Sequence, residues 1–181
     1  MTPGNAQRRS THWSVITGAP CSGKTAVIHM LEQQGYTVIH EVARAYIDAE
    51  LAKGKTLSEI KADERVFERH ILMEKVRIES TLNKDEIIFF DRGIPDSIAY
   101  YELNGLDSSE PFQRSAAVCY RNIFLFERLH FSKDTVRSED EKTARQLNRL
   151  IEESYQSLGY DIIHVPVLSV KARTEFVLAH L

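Results

Sequence analysis

The sequence predicts an α/β fold in which a parallel sheet is covered by helices on both faces. Three observations lead there. Strand-like and helix-like segments alternate from end to end, and strands separated by helices need crossover connections, which make neighbouring strands parallel. The run Ile87-Ile88-Phe89-Phe90 is too brief and too uniformly apolar for a half-exposed antiparallel strand, so it reads as a central strand buried on both sides. A glycine-bearing loop also separates the first predicted strand from the first predicted helix, where α/β folds gather anions at a helix N-terminus.

Taken in order, residues 1–11 are polar, include Arg8 and Arg9, and read as a flexible tail, leaving 12–181 as one domain. Val15-Ile16-Thr17-Gly18 is the first strand; residues 24–34 form a helix stopped by Gly35. The second strand covers 36–41. A helix over 43–51 is interrupted by Gly54, and Thr56 with Glu59 forms a capping box that opens a long helix. Along it Ile60, Phe67, Ile71, Ile78 and Leu82 recur at helical spacing and mark a core-facing stripe. The third strand is 87–90, with Asp91 at its carboxyl end. Helices over 95–102 and 111–119 precede a fourth strand at 122–126 and a charged loop. Ser138 and Glu141 form a second capping box, after which Ala144, Leu147, Leu150, Ile151, Tyr155 and Leu158 line the buried face of a helix ended by Gly159. A fifth strand at 161–165, a loop at 166–169 and a closing helix at 170–181 complete the chain.

Composition removes several function classes. The 181 residues and 20.7 kDa suit one ordinary domain, and 43% hydrophobic with 27% charged residues excludes disorder or low-complexity repeats. Lys and Arg number 23 against 26 Asp and Glu, a net charge of -3 that lacks the basic excess expected of a nucleic-acid binder. No run approaches the roughly 18 apolar residues of a membrane span. Cys21 and Cys119 stand apart with no metal or disulfide spacing, which fits a reducing cytoplasm. His12, His29, His40, His70, His130, His164 and His180 are dispersed and form no ligand cluster. Oligomeric state is left open.

The motif that carries chemistry is Gly18-Ala19-Pro20-Cys21-Ser22-Gly23-Lys24-Thr25, followed by Ala26. It matches the phosphate-binding loop pattern (Walker A) of Gly, four residues, Gly, Lys and Ser or Thr. The glycines allow backbone amides to turn toward an anion, and the helix they lead into favours negative charge at its N-terminus. Lys24 adds a cation at the β and γ phosphates of ATP, and Thr25 a hydroxyl for magnesium. Cys21, inside this loop, reads as a small loop residue in preference to a redox centre. Asp91 supplies the second half of a magnesium nucleotide site, an acid at the end of a buried strand. Arg92 beside it is suited to bind a phosphate bidentately, or to pair with a carboxylate.

An Asp-Arg pair closing the third strand behind a phosphate-binding loop resembles the nucleoside and nucleotide kinases. More narrowly, His40-Glu41-Val42-Ala43-Arg44-Ala45-Tyr46, Asp91-Arg92-Gly93 and Asp134-Thr135-Val136-Arg137 resemble the small AAA-domain ATPases or kinases related to ribosylnicotinamide kinase domains. The likeness covers about 13–181. It implies a three-layer P-loop NTPase fold with five parallel strands in the order 2-3-1-4-5, and a small lid at about 127–140. It also implies that Glu41 is the carboxylate beside the acceptor hydroxyl, with Arg44 a weaker candidate nearby. Arg137, with Arg145 next, becomes the lid arginine that neutralises the transferring phosphoryl group, ahead of Arg128, Lys133 and Arg149. Residues 166–169 would pass the adenine.

The expectation is a magnesium- and ATP-dependent phosphotransferase whose acceptor is a small nucleoside-, nucleotide- or ribosylnicotinamide-like molecule. The alternative is an ATPase or ATP-binding switch without such an acceptor. An AAA+ motor is disfavoured because one short domain leaves little room for a helical second domain. In Asn83-Lys84-Asp85-Glu86 the Asp stands one position too early for a guanine-reading motif, so a GTPase is disfavoured as well.

Overall fold

The computed structural model describes residues 9–128 and 138–181. Its strands are β1 (Arg9–Ser10), β2 (Trp13–Thr17), β3 (Thr37–Ile39), β4 (Ile88–Asp91), β5 (Val118–Cys119), β6 (Asn122–Phe126) and β7 (Ile162–Val165). Its helices are α1 (Lys24–Gln33), α2 (Val42–Ala52), α3 (Leu57–Ile60), α4 (Glu64–Thr81), α5 (Asp96–Leu103), α6 (Ser109–Ser115), α7 (Ser138–Ser157) and α8 (Val170–Leu178). The main sheet runs β3-β4-β2-β6-β7 with every pairing parallel. Counting its five strands along the chain, this is the expected order 2-3-1-4-5. None of the described helices is long and apolar enough to cross a membrane.

Alternation along the central strands builds two cores, because successive side chains leave a strand on opposite faces. Val15 and Phe90 face a cluster with Ala99 of α5 and Leu147, Ile151 and Tyr155 of α7. Their neighbours Ile16 and Phe89 face the other, with Val27, Ile28 and Leu31 of α1 and Val177 of α8. Burying each such side chain is worth about 1.5–3 kcal/mol, which fixes the helices against the sheet and the strand ends relative to one another. Trp13 opens β2 in the first cluster, fully buried, with its ring centre 5.3 Å from that of Phe90 and its indole N–H donating to Asn83 O at 3.0 Å.

Three expectations need correction. Residues 9–11, assigned to the tail, belong to the fold: β1 pairs in parallel with β5, and the Thr11 amide and hydroxyl donate to Cys119 O at 3.1 and 3.0 Å. The helix expected over 111–119 accordingly ends at Ser115, and its last residues form β5. The long helix opened by Thr56 is two helices. The Thr56–Glu59 capping box forms, but α3 stops at Ile60, and Asp63 caps α4 anew by accepting from the Val66 amide at 3.1 Å. Its apolar stripe survives the break, since Ile60, Phe67 and Ile71 pack together with Val42. Most of the expected lid lies outside the described residues.

Candidate active site

Residues 18–23 link the end of β2 to the start of α1. Gly18 has φ +133°, and a Cβ there would stand 2.7 Å from Phe126 O, so only glycine fits. Gly23, at φ +82°, turns the chain into α1. The Lys24 ammonium reaches back over the loop and donates to Gly18 O at 2.9 Å, Ala19 O at 2.9 Å and Ser22 Oγ at 3.0 Å. Burial, and next the Arg92 guanidinium, draw the Lys24 pKa down to about 7 against the pull of Asp91, Glu41 and Asp96. The Ala19 amide donates to Asn148 Oδ1 of α7 at 3.1 Å. Pro20, Cys21, Thr25 and Ala26 are exposed along the rim.

The second wall begins where β4 ends. Asp91 is buried, its Oδ1 has no hydrogen-bond partner, and desolvation raises its pKa while Arg92 opposes the rise. A lone buried carboxylate oxygen is the kind of hard donor a divalent cation takes. Arg92 has a left-handed backbone, φ +71°, an arrangement that costs a non-glycine residue about 1–2 kcal/mol. It is held there from both ends. Its amide donates to Ile16 O at 3.1 Å, and its buried guanidinium to Glu41 Oε1 at 3.1 Å and Asp96 Oδ1 at 3.3 Å, with the Tyr100 ring centre 5.4 Å away. Burial acts to lower the guanidinium pKa, but Tyr100, Glu41, Asp96 and Asp91 outweigh it and hold it above its ordinary value.

Behind this wall stand residues that sequence reasoning passed over. Asp96 is wholly buried and accepts from the Thr17 hydroxyl at 2.5 Å, the Gly93 amide at 2.9 Å and the Tyr155 hydroxyl at 2.6 Å as well as from Arg92. Lys75 of α4 donates to Gly93 O at 2.9 Å and Ser97 Oγ at 3.2 Å, with a pKa lowered mainly by burial. The Tyr120 hydroxyl accepts from the Ile94 amide at 3.1 Å and donates to Glu79 Oε1 at 2.7 Å; burial pushes the Glu79 pKa up to about 7. A signal existed in the sequence: Glu68, Lys75 and Glu79 recur on α4 with gaps of seven and four, the same helical spacing as the apolar stripe beside them, which marks charges on an inward face.

Lys24, Glu41, Asp91 and Arg92 are thus brought together at the carboxyl ends of β2, β3 and β4. Arg44, Arg145 and Arg149 instead make pairs on helix surfaces. Arg44 pairs with Asp48 at 3.0 Å on the surface of α2, and Arg145, largely exposed, pairs with Glu141 one turn away on α7. Arg149 faces Glu153 at 3.8 Å. Arg137 and Lys133 lie outside the described residues. Among the described residues no cluster of three or more His, Cys, Asp or Glu side chains could hold a metal by itself. Residues 166–169 follow β7 as an exposed loop, with Ser169 capping α8.

An anion cradle on a helix N-terminus, a lysine over it and a buried acid on the adjacent strand define a P-loop protein, and the strand order is that of the P-loop kinases. The chain belongs to the family described as "AAA domain", which matches residues 13–173. No curated protein matches it. Among solved structures, thymidylate kinase from Ehrlichia chaffeensis superposes with a TM-score of 0.66 at 14% identity, over 94% of this chain and 98% of that one. Deoxyadenosine kinase from M. mycoides gives 0.55 at 20% identity over 92% and 96%. A NadR protein in complex with NR gives 0.62 at 18% identity, covering 86% of this chain and 43% of NadR. These likenesses establish the shared fold.

Proposed function

We propose that the protein is a magnesium- and ATP-dependent phosphotransferase with a small nucleoside-, nucleotide- or ribosylnicotinamide-like acceptor. The observation that carries the reading is the pairing of Glu41 with Arg92 across from Lys24. A hydrolase would use the same cradle and metal acid; what favours a transferase is a part-exposed carboxylate held beside them by a buried guanidinium, suited to take a proton from an acceptor hydroxyl. Residues 18–26 hold the phosphates through amides and the Lys24 ammonium. Thr25 and Asp91 would hold magnesium, which neutralises phosphate charge. Glu41, a third of whose side chain remains exposed, is suited to accept the acceptor's hydroxyl proton. Arg92 steadies that carboxylate and offers charge to the transferring group. The fold shared with the thymidylate and deoxyadenosine kinases and with NadR bound to NR supports an acceptor of this class.

The test is a screen of purified protein with magnesium ATP against nucleosides, nucleotides and nicotinamide riboside, reading ADP release and product mass. Acceptor-stimulated ADP with a phosphorylated product is expected. Slow ADP release indifferent to every acceptor would overturn the kinase reading in favour of an ATPase or switch. Calorimetry with Lys24→Ala checks the nucleotide site separately: equal magnesium-ATP affinity in a folded variant would remove it.

A further inference from the structure

Arg173, on the first turn of α8, is 2% exposed, and its guanidinium is spent entirely on backbone. Nε donates to Pro166 O at 2.8 Å, Nη1 to Ser22 O at 2.5 Å and Nη2 to Glu127 O at 3.2 Å. Its central carbon lies 5.2 Å from the centre of the Phe126 ring. The three carbonyls belong to three different loops: Ser22 to the phosphate loop after β2, Glu127 to the residue after β6 and Pro166 to the residue after β7. Among the described residues no carboxylate lies within ion-pair distance of this cation, although a buried charge ordinarily has one. The Glu127 carboxylate favours the charged form from beyond that distance, so a cation with no contacting counter-ion among the described residues stands behind the phosphate loop.

We propose that Arg173 is a positioning residue of the nucleotide site, which sets the phosphate loop and supplies it with fixed positive charge without touching the ligand. A trans peptide is planar, with its C=O and N–H pointing opposite ways. By drawing the Ser22 carbonyl inward, Arg173 turns the Gly23 N–H outward, to the side where the loop meets its anion. A charged donor on the carbonyl also polarises that peptide, which strengthens the N–H as a donor in turn. The bonds to Glu127 O and Pro166 O fix this peptide against the loops after β6 and β7, so one side chain sets the spacing of three loops. A lysine keeps the charge and loses the planar fork that reaches three separate acceptors. The inference rests on the nucleotide reading above for its ligand, but not for the loop it orders.

The experiment compares Arg173→Met, Arg173→Lys and Val177→Ala in the full chain. Val177 is fully buried in the same helix, so its truncation loosens α8 without touching the three carbonyls. Hydrogen exchange over residues 18–24 is read without ligand, and affinities for magnesium ATP, magnesium ADP and AMP by calorimetry. Arg173→Met should speed exchange in the loop at least tenfold and weaken ATP at least tenfold, ADP less and AMP least. Arg173→Lys should fall between it and wild type, and Val177→Ala should stay within twofold of wild type in both. Matching losses in Arg173→Met and Val177→Ala, or loop exchange unchanged in Arg173→Met, would overturn the proposal. If Arg173→Met does not fold, Arg173→Lys decides, and wild-type exchange and affinity in it would be the overturning result. Wild type that binds no nucleotide, with the exchange difference present, would remove the nucleotide reading and leave Arg173 as the residue that orders the loop.

Discussion

The two walls of the site are built in opposite ways. The phosphate loop draws most of its bonds from neighbouring residues, Lys24 to Gly18 O, Ala19 O and Ser22 Oγ with glycines where the backbone demands them, and is tied from afar by Asn148 at Ala19 N and Arg173 at Ser22 O. The wall after β4 keeps its shape from a distance, through Thr17, Glu41, Lys75, Tyr120 and Tyr155. Each wall contains one non-glycine residue in the left-handed region, Cys21 at φ 61° and Arg92 at φ 71°. Cys21 is exposed, whereas Arg92 is buried and bonded at both backbone and guanidinium. A motif confined to neighbouring residues can be read along the chain; a wall assembled from remote side chains becomes visible only once the fold brings them together.

The sharpest way to break this contrast is Asp96→Ala, which strips Arg92, the Gly93 amide, Thr17 and Tyr155 of their common acceptor. Removing one member of a buried ion pair costs about 3–5 kcal/mol, so urea unfolding should show a loss of that order, with turnover abolished. A loss below about 1 kcal/mol would mean that the second wall stands without its remote support. Glu79 probes the same wall by pH. Its carboxyl titrates near 4.5 unfolded and about 7 folded, so its favourable contribution is complete below the unfolded value and disappears as pH rises through the folded one. Wild type should lose on the order of 2–3 kcal/mol between pH 5 and 8 that Glu79→Gln does not lose; parallel pH profiles of the two proteins would refute it.

A smaller effect separates backbone from side chain at Arg92. Arg92→Gly and Arg92→Ala both remove the guanidinium, but only glycine relieves the left-handed conformation, so the glycine variant should be the more stable by about 1 kcal/mol while both lose turnover. Equal denaturation midpoints would show that the strain at Arg92 does not exceed the entropy that glycine adds to the unfolded chain. Least of all is expected from Cys21→Gly. Relief of the same conformation is offset by the freer unfolded chain, leaving a net change within about 1 kcal/mol and ATP affinity as in wild type. A tenfold loss of affinity would instead assign the Cys21 side chain a part in binding.

The extent to which the sequence disclosed this site follows from the same contrast. Residues 18–25 were legible because eight consecutive positions carry the motif, and the strands beside them because short apolar runs alternate with helical stripes. Asp91 and Arg92 were legible through their place at a strand end. Asp96 and Tyr155 were not, since their bond acts across a large separation, as does that of Arg173, which joins Ser22 to the opposite end of the chain. The break between α3 and α4 was hidden for another reason. The apolar stripe continues in phase across Lys61–Asp63, so periodicity alone gives no sign that Asp63 caps a new helix. Arg145 shows what spacing alone leaves out: its pairing with Glu141 one turn away appears only in the folded helix.

Trp13 has an optical consequence. It is the chain's single tryptophan, so intrinsic emission excited at the red edge of protein absorption comes from one known place, the first residue of the strand that runs into the phosphate loop. Its fully buried indole beside Phe90, with the N–H committed to Asn83 O, should fluoresce at short wavelength in the folded state and shift to the red as water reaches the ring. The molecule therefore carries its own label-free gauge of whether the central sheet is closed, located away from the nucleotide and readable in stopped flow without any added dye.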